Sequence, residues 1–173
     1  MFAGLIARFP ISMYGLGAVL LVQSRYGSYF KAGLLSAAFA ISWAVIAPFT
    51  SRLADRYGQS KMLPIQLSVH VSTLLITVFL IVQNANLVLI LIIFSISGAS
   101  QPAIGSFVRA RWKKGVRNDQ EQDTAFALES VLDEVIFIFG PPLVTFLCVV
   151  FYDVSGLILA AVLITIGGFW LAR

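Results

Sequence analysis

Residues 71–98 read VSTLLITVFLIVQNANLVLILIIFSISG, two apolar blocks joined by the polar turn QNAN at residues 83–86. The stretch contains no Asp, Glu, Lys or Arg. An α-helix rises about 1.5 Å per residue, so about 20 apolar residues are needed to cross a hydrocarbon core of about 30 Å. Each block reaches that length when it is extended outward to the next charged or turn residues. The stretch therefore predicts two antiparallel transmembrane helices.

The same pattern continues in both directions along the chain of 173 residues, of which 59% are hydrophobic and 12% charged. Soluble domains carry about 25% charged residues. Lipid-exposed backbone must satisfy its own hydrogen bonds, and the sequence lacks the alternating pattern of a barrel strand. We therefore expect an all-α membrane protein, a bundle of six transmembrane helices that forms one domain over residues 1–173. The predicted spans are 2–22, 30–49, 62–82, 87–108, 126–151 and 154–172.

Basic residues are distributed unequally between alternate loops, when Arg8 is left aside. One side has Arg52, Arg56, Lys61, Arg109, Arg111, Lys113, Lys114, Arg117 and Arg173, and the other has Arg25 and Lys31. The positive-inside rule assigns the richer side to the cytoplasm. Both termini of an integral, multi-pass protein of the cytoplasmic membrane are therefore predicted to be cytoplasmic. Membrane orientation also explains the net charge of +4, so no nucleic-acid partner is expected.

The loop between the second and third predicted spans reads SRLADRYGQSK at residues 51–61. It resembles the cytoplasmic signature of the major facilitator superfamily, in which Asp55, Arg56 and Gly58 match in type and spacing. Ser51 replaces the first glycine of that signature, and residues 59 and 60 are Gln and Ser where basic residues are usual. The signature also lies in the loop and on the side where the family has it.

The resemblance implies a secondary transporter that moves a small-molecule solute by alternating access. It covers the whole chain as one six-helix half with a 3+3 inverted repeat. A second six-helix half, from the same gene product or from a separate chain, is then an expected partner besides the lipid bilayer. Paired Gly/Pro interruptions in corresponding spans are typical of such a repeat. They occur here at Pro10, Gly15 and Gly17 and at Gly98, Pro102 and Gly105.

The loop motif itself predicts a gate. A tight loop needs Gly58 for an unusual backbone conformation. Asp55, flanked by Arg52 and Arg56, is able to make charge-assisted contacts with a neighbouring helix end. Such contacts would hold an outward-open state and break in the inward-open one. The alternative is that the basic residues only set orientation and that Asp55 is solvated.

A second resemblance lies in the fifth span, where residues 140–142 read Gly-Pro-Pro. This is similar to the core of a motif found in proton-coupled antiporters of the superfamily, although the flanking glycines are absent. Prolines bend a membrane helix whatever its function. A simple helix kink at Gly140 and Pro141 is therefore the favoured interpretation.

Three acids of the fifth span, Glu129, Asp133 and Glu134, are candidates for proton coupling because ionisable groups in a membrane are costly. Glu129, Asp133 and Gly140 share one stripe of this helix by their spacing. Counting back about 20 residues from Tyr152 places Asp133 and Glu134 about one turn inside the core and Glu129 outside it. Pairing with Arg109 or Arg111, or with the basic cluster 52–56, is the alternative.

Arg8 lies too far along the first span to be at the surface, since residues 9–22 alone are too short to cross a bilayer. It is expected either to bind an anionic substrate group, to pair with an acid of the fifth helix, or to snorkel to the interface. Tyr14 and Gln101 are further substrate-cavity candidates because the resemblance implies that the first and fourth helices line the pore. Interhelical hydrogen bonding is the alternative for both. His70 is expected to be a hydrogen-bonded packing residue.

The acids and the Gly-Pro element favour proton-linked efflux of a hydrophobic or cationic compound, without excluding sugars or anions. No metal or other cofactor is expected. One competing interpretation is a non-transporting scaffold or a truncated fragment. Another is an intramembrane serine protease of the rhomboid type that uses His70 and Ser100. The order of these two residues along the chain argues against it, and no HExxH motif is present.

Overall fold

The computed structural model describes residues 2–115 and 118–172, and this part of the chain forms eight helices and no strand. The helices are α1 Phe2–Arg8, α2 Ile11–Tyr26, α3 Tyr29–Tyr57, α4 Gln59–Val82, α5 Leu87–Ser100, α6 Ile104–Gly115, α7 Asp119–Val150 and α8 Ser155–Ala172. Arg117 and Arg173, which contribute to the predicted orientation, lie outside the described residues.

Six helical units are long and apolar enough to cross a membrane, which confirms the predicted six-helix bundle. Span 1 consists of α1 and α2, spans 2 and 3 are α3 and α4, span 4 consists of α5 and α6, and spans 5 and 6 are α7 and α8. Each predicted span lies on one of these units to within one residue. Where the membrane boundaries lie on the helices stays a prediction.

Spans 1 and 4 are both interrupted. Pro10 lies between α1 and α2, and residues 101–103, which include Pro102, separate α5 from α6. Proline has no backbone N–H to donate to the preceding turn, so each proline favours a break. Interruption of these two spans is what an inverted repeat predicts for corresponding segments. The repeat symmetry itself stays a prediction.

The turns between spans are short and are fixed by their end residues. Gly27 and Gly58 end α2 and α3 with positive φ angles of 60° and 91°, which glycine adopts without strain. The side chains of Ser28, Asn86 and Asn118 accept hydrogen bonds from the first turns of α3, α5 and α7. Consecutive spans are therefore antiparallel neighbours.

The interior of the bundle is packed through small residues and aromatic rings. A side chain at Gly98 would overlap the backbone of Phe39, and one at Gly167 would overlap the backbone of Ala7. Spans 2 and 4, and spans 1 and 6, therefore approach each other backbone to backbone, as membrane helices commonly do. The rings of Phe39 and Phe94 pack at 4.7 Å between centroids beside these contacts.

Candidate functional site

A cluster of charged side chains joins spans 1, 4 and 5 around Arg8. Arg8 Nη2 lies 2.5 Å from Glu129 Oε2, and Nη1 donates to Asp133 Oδ1 at 2.9 Å. The side chains of Arg8 and Glu129 are 3% and 1% exposed, whereas that of Asp133 is 33% exposed. Of these three residues, Asp133 is therefore the one that is accessible from outside the bundle.

Two residues of α6 complete the cluster. Trp112 Nε1 donates to Glu129 Oε1 at 3.1 Å, and Arg109 Nη2 lies 3.7 Å from Asp133 Oδ2. Arg8 Nε also donates to the carbonyl of Gly4 at 3.3 Å. The Arg109 side chain is 52% exposed, so it is held loosely compared with the buried Arg8.

The position of Arg8 at the end of a helix explains why the chain tolerates a buried cation there. α1 ends at Arg8 because of the following Phe9-Pro10 break. The C-terminal end of a helix carries partial negative charge, which favours a cation. The two carboxylates of α7 then supply charge-assisted hydrogen bonds, which are the strong kind in a low-dielectric interior.

The cluster contains two cations and two carboxylates, but these charges are not equally fixed. Without the loosely held Arg109, one guanidinium would face two carboxylates, and one negative charge would be left in excess. An uncompensated charge is costly inside a membrane protein. The charge balance of the cluster therefore depends on the position of Arg109.

A cavity of about 290 Å³ adjoins the cluster, with walls from spans 1, 2, 4 and 5. Its polar lining residues are Arg8, Trp43, Ser106, Arg109 and Asp133. The buried indole nitrogen of Trp43 has no hydrogen-bond partner among the described residues. The cavity thus presents the partly exposed Asp133 carboxylate and the half-exposed Arg109 guanidinium among mostly apolar walls.

One face of α7 holds the cluster against span 1, as the stripe of Glu129, Asp133 and Gly140 predicts. Glu129 and Asp133 contact Arg8, and Gly140 packs on Ser12 so closely that a Cβ atom would collide with the Ser12 hydroxyl. The helix continues through Pro141 without interruption. Gly140 therefore has a close-packing role besides the predicted kink, whose bending angle stays a prediction.

The contacts of Arg8 distinguish between its predicted alternatives. Arg8 does not snorkel, since it is 2% exposed, and of the predicted alternatives the pairing with acids of the fifth helix is present. Glu129 is 1% exposed inside the protein beside Arg8, and its position relative to the hydrocarbon core stays a prediction. Asp133 pairs with both Arg8 and Arg109, and the pairing with Arg109 is the one that the sequence offered as an alternative to proton coupling. Glu134 is exposed and apart from the cluster.

Tyr14 and Gln101 are buried, 1% and 3% exposed, and neither lines this cavity. The Tyr14 hydroxyl is instead hydrogen-bonded to His70 Nε2 at 2.9 Å, the interhelical alternative for this residue. A role in substrate binding stays a prediction without structural support for these two residues. His70 is fully buried and hydrogen-bonded, as a packing histidine is expected to be.

One of three comparisons with known proteins found a match. The family model described as Major Facilitator Superfamily matches residues 1–173. The chain belongs to the Major Facilitator Superfamily. Neither the search of curated proteins nor that of solved structures found a match. The family match and the six apolar helices show an integral, multi-pass membrane protein of transporter type.

In this major facilitator protein the signature loop has the backbone expected for Gly58, with φ 91° and ψ 137°. Asp55 and Arg56 are exposed, and the Arg56 guanidinium lies 5.5 Å from the centroid of the Tyr57 ring. Among the described residues, no ion pair forms with Asp55 or Arg52. Asp55 is therefore free to contact a surface outside this bundle, and its gating role stays a prediction.

At the opposite end of the facilitator bundle, an ion pair that the sequence analysis missed joins span 1 to the turn before span 6. Arg25 donates to Asp153 through Nε at 2.6 Å and Nη2 at 3.0 Å, and Ser24 adds a bond at 3.1 Å. Partial burial raises the pKa of Asp153, but the hydrogen bonds and positive charge outweigh it and lower the pKa overall. The sequence signal for this ion pair was that Arg25 and Asp153 carry opposite charges and both lie at predicted external ends of spans.

The described residues do not support the protease alternative. Ser100 Oγ donates to the carbonyl of Ile96 at 2.7 Å. His70 Nδ1 lies 2.8 Å from the carbonyl of Ser97, which only accepts hydrogen bonds, so this nitrogen carries a proton. This nitrogen is therefore unable to act as a base. No cluster of three or more His, Cys, Asp or Glu able to hold a metal occurs in this part of the chain.

Proposed function

We propose that this six-helix bundle is one half of a secondary active transporter that exchanges a proton at Asp133 during each cycle. The observation that carries the proposal is the buried Arg8 shared between Glu129 and Asp133, with Asp133 accessible from the adjoining cavity. A proton on Asp133 compensates the charge that remains when Arg109 moves away. Proton exchange would thereby be linked to the conformation of α6.

The protein surface around this cavity supports the presence of a second six-helix half. Trp43 of span 2 and Phe137 of span 5 flank it, and both spans present broad exposed apolar faces beside it. Lipid tails solvate those faces but do not solvate the half-exposed Arg109 and Asp133. A second six-helix bundle with polar groups of its own would cover this side, and rocking of the two halves would expose the cavity to each membrane face in turn.

We further propose that the solute is a small hydrophobic cation. With Arg109 displaced, the cavity presents one accessible carboxylate among mostly apolar walls. A proton and a cation then compete for the same carboxylate, which is the simplest arrangement for exchange. Movement out of the cell remains part of the proposal on the basis of the sequence resemblance alone.

Ethidium transport tests this function. Membrane vesicles are prepared from source cells in which the substitutions replace the native sequence, so that the second half is present. In wild-type vesicles, an imposed pH gradient is expected to drive ethidium accumulation. Asp133→Asn should lower its rate about a hundredfold, the low end of what loss of a proton-transfer group costs.

Glu134→Gln is the matched control, since Glu134 is the adjacent acid of the same helix but is exposed and apart from the cluster. It should retain gradient-driven accumulation. Equal loss in both variants would remove the assignment of Asp133. Wild-type vesicles without gradient-driven ethidium transport would remove the cationic solute and favour the scaffold alternative.

A further inference from the structure

The break in span 4 leaves a backbone carbonyl without its helical partner. In a continuous helix the N–H of Gln101 would donate to the carbonyl of Ser97. Gln101 instead has an extended conformation, and its N–H donates to the carbonyl of Gly98 at 3.1 Å. Pro102 has no N–H to offer. The carbonyl of Ser97 therefore needs a partner from another part of the protein.

His70 of span 3 supplies that partner. Its Nδ1 donates to the Ser97 carbonyl at 2.8 Å, and its Nε2 accepts a hydrogen bond from the Tyr14 hydroxyl at 2.9 Å. The Ser100 hydroxyl also lies 3.1 Å from this carbonyl, but its shorter bond, at 2.7 Å, goes to Ile96. The imidazole is thus the main donor at the break.

Burial makes this bond important. His70 and Ser97 are both 0% exposed and Tyr14 is 1% exposed, so solvent does not replace a lost bond. Without the imidazole, this buried carbonyl keeps only the longer contact with the Ser100 hydroxyl. The network connects spans 1, 3 and 4 at the point where span 4 changes direction.

We infer that His70 is a positioning residue, a side-chain cap that fixes the break in span 4. By holding the end of α5, it sets the direction in which α6 leaves the break. α6 in turn carries Arg109 and Trp112, which contact the acids of span 5 from span 4. The cap therefore positions one side of the charge cluster, whichever ion or solute the transporter uses.

Hydrogen–deuterium exchange of the complete native protein in lipid nanodiscs tests the cap. The amides to follow are those at the break, Gln101 and Ile104, which donate to Gly98 and Pro102. His70→Asn retains a donor near the position of Nδ1, and His70→Gln retains one near Nε2 only. His70→Phe retains the ring and its contacts with the rings of Tyr14 and Phe39.

Loss of the cap is expected to speed exchange at the break about fivefold in the Gln and Phe variants, the equivalent of about 1 kcal/mol. The Asn variant should stay within about twofold of wild type, because it still caps the carbonyl. If His70 acted only by packing, the order would reverse, since Phe fills the site and Asn leaves a cavity.

Ser97→Ala is the control, because it leaves the capped carbonyl in place and removes only the hydroxyl, which lies 3.3 Å from both His70 Nδ1 and the His70 carbonyl. Its exchange at the break should stay closer to wild type than that of the Gln variant. Should the Phe variant not fold, the comparison of Asn with Gln decides the question. Two results would overturn the assignment of His70 as a cap. One is exchange at the break that is as fast in the Asn variant as in the Gln variant, and the other is unchanged exchange in every variant. Neither result depends on proton coupling at Asp133.

Discussion

Removal of Arg8 gives the most quantitative prediction about the charge cluster. In Arg8→Leu, Glu129 stays in a site that is 1% exposed and loses its 2.5 Å contact with the guanidinium. Breaking a buried ion pair by removing one partner costs about 3–5 kcal/mol. For a protein of this size, with about 2–4 °C per kcal/mol, the apparent melting temperature should fall by about 6–20 °C.

A second substitution, at Glu129, distinguishes loss of the ion pair from loss of packing. Glu129→Leu alone should also destabilise, because Arg8 then keeps only the partly exposed Asp133. The double variant should recover most of the loss, since replacing both members of a buried pair by apolar residues is often neutral. The assay is a thermal melt in lipid nanodiscs followed by tryptophan fluorescence. Additive losses in the double variant, or single losses below about 1 kcal/mol, would refute a buried ion pair.

Three further predictions concern packing, the external ion pair and the gate. Gly140→Ala should cost about 1–3 kcal/mol of stability in the same melt, because the added methyl group collides with Ser12. Gly15→Ala is the control and should not destabilise the protein, because the space around Gly15 is open. Equal effects of the two substitutions would contradict the close contact at Gly140. The pKa of Asp153 is lowered from 3.8 in the folded protein, so its stabilisation is complete above that pH and lost as the pH falls through the folded-state value. The melting difference between wild type and Asp153→Asn should then be constant between about pH 5 and 8 and shrink only in stronger acid, and a change near neutral pH would contradict the ion pair. Asp55→Asn should slow ethidium flux in vesicles without loss of protein from the membrane, and unchanged flux would remove the gating assignment.

The fold was predictable because the hydrocarbon thickness imposes a length on every span. Turn residues such as Gly58 were predictable for a local reason, the positive φ that ends a helix in a tight loop. The pairing of Arg8 with acids of the fifth helix was foreseen as one alternative. A cation such as Arg8 inside a membrane span has few possible partners other than an acid of a neighbouring span.

The rotation of the helices was not predictable from the sequence. An amphipathic helix shows its orientation by separate polar and apolar faces, but span 1 has no clear separation of this kind and gives no such signal. Tyr14 therefore could not be assigned to the interior, where its hydroxyl bonds to His70. The cap at Ser97 and the contact of Gly140 with Ser12 depend on distances between separate spans, which no local pattern contains.

Infrared titration of the complete native protein in lipid nanodiscs tests proton exchange at Asp133 most directly. Protonation of a carboxylate produces a carbonyl-stretch band, and a carboxyl shielded from bulk water contributes a distinct component of it. Acidification should produce this component in wild type and in Glu134→Gln but not in Asp133→Asn. An unchanged component in Asp133→Asn would contradict the account, because the proton would then reside elsewhere.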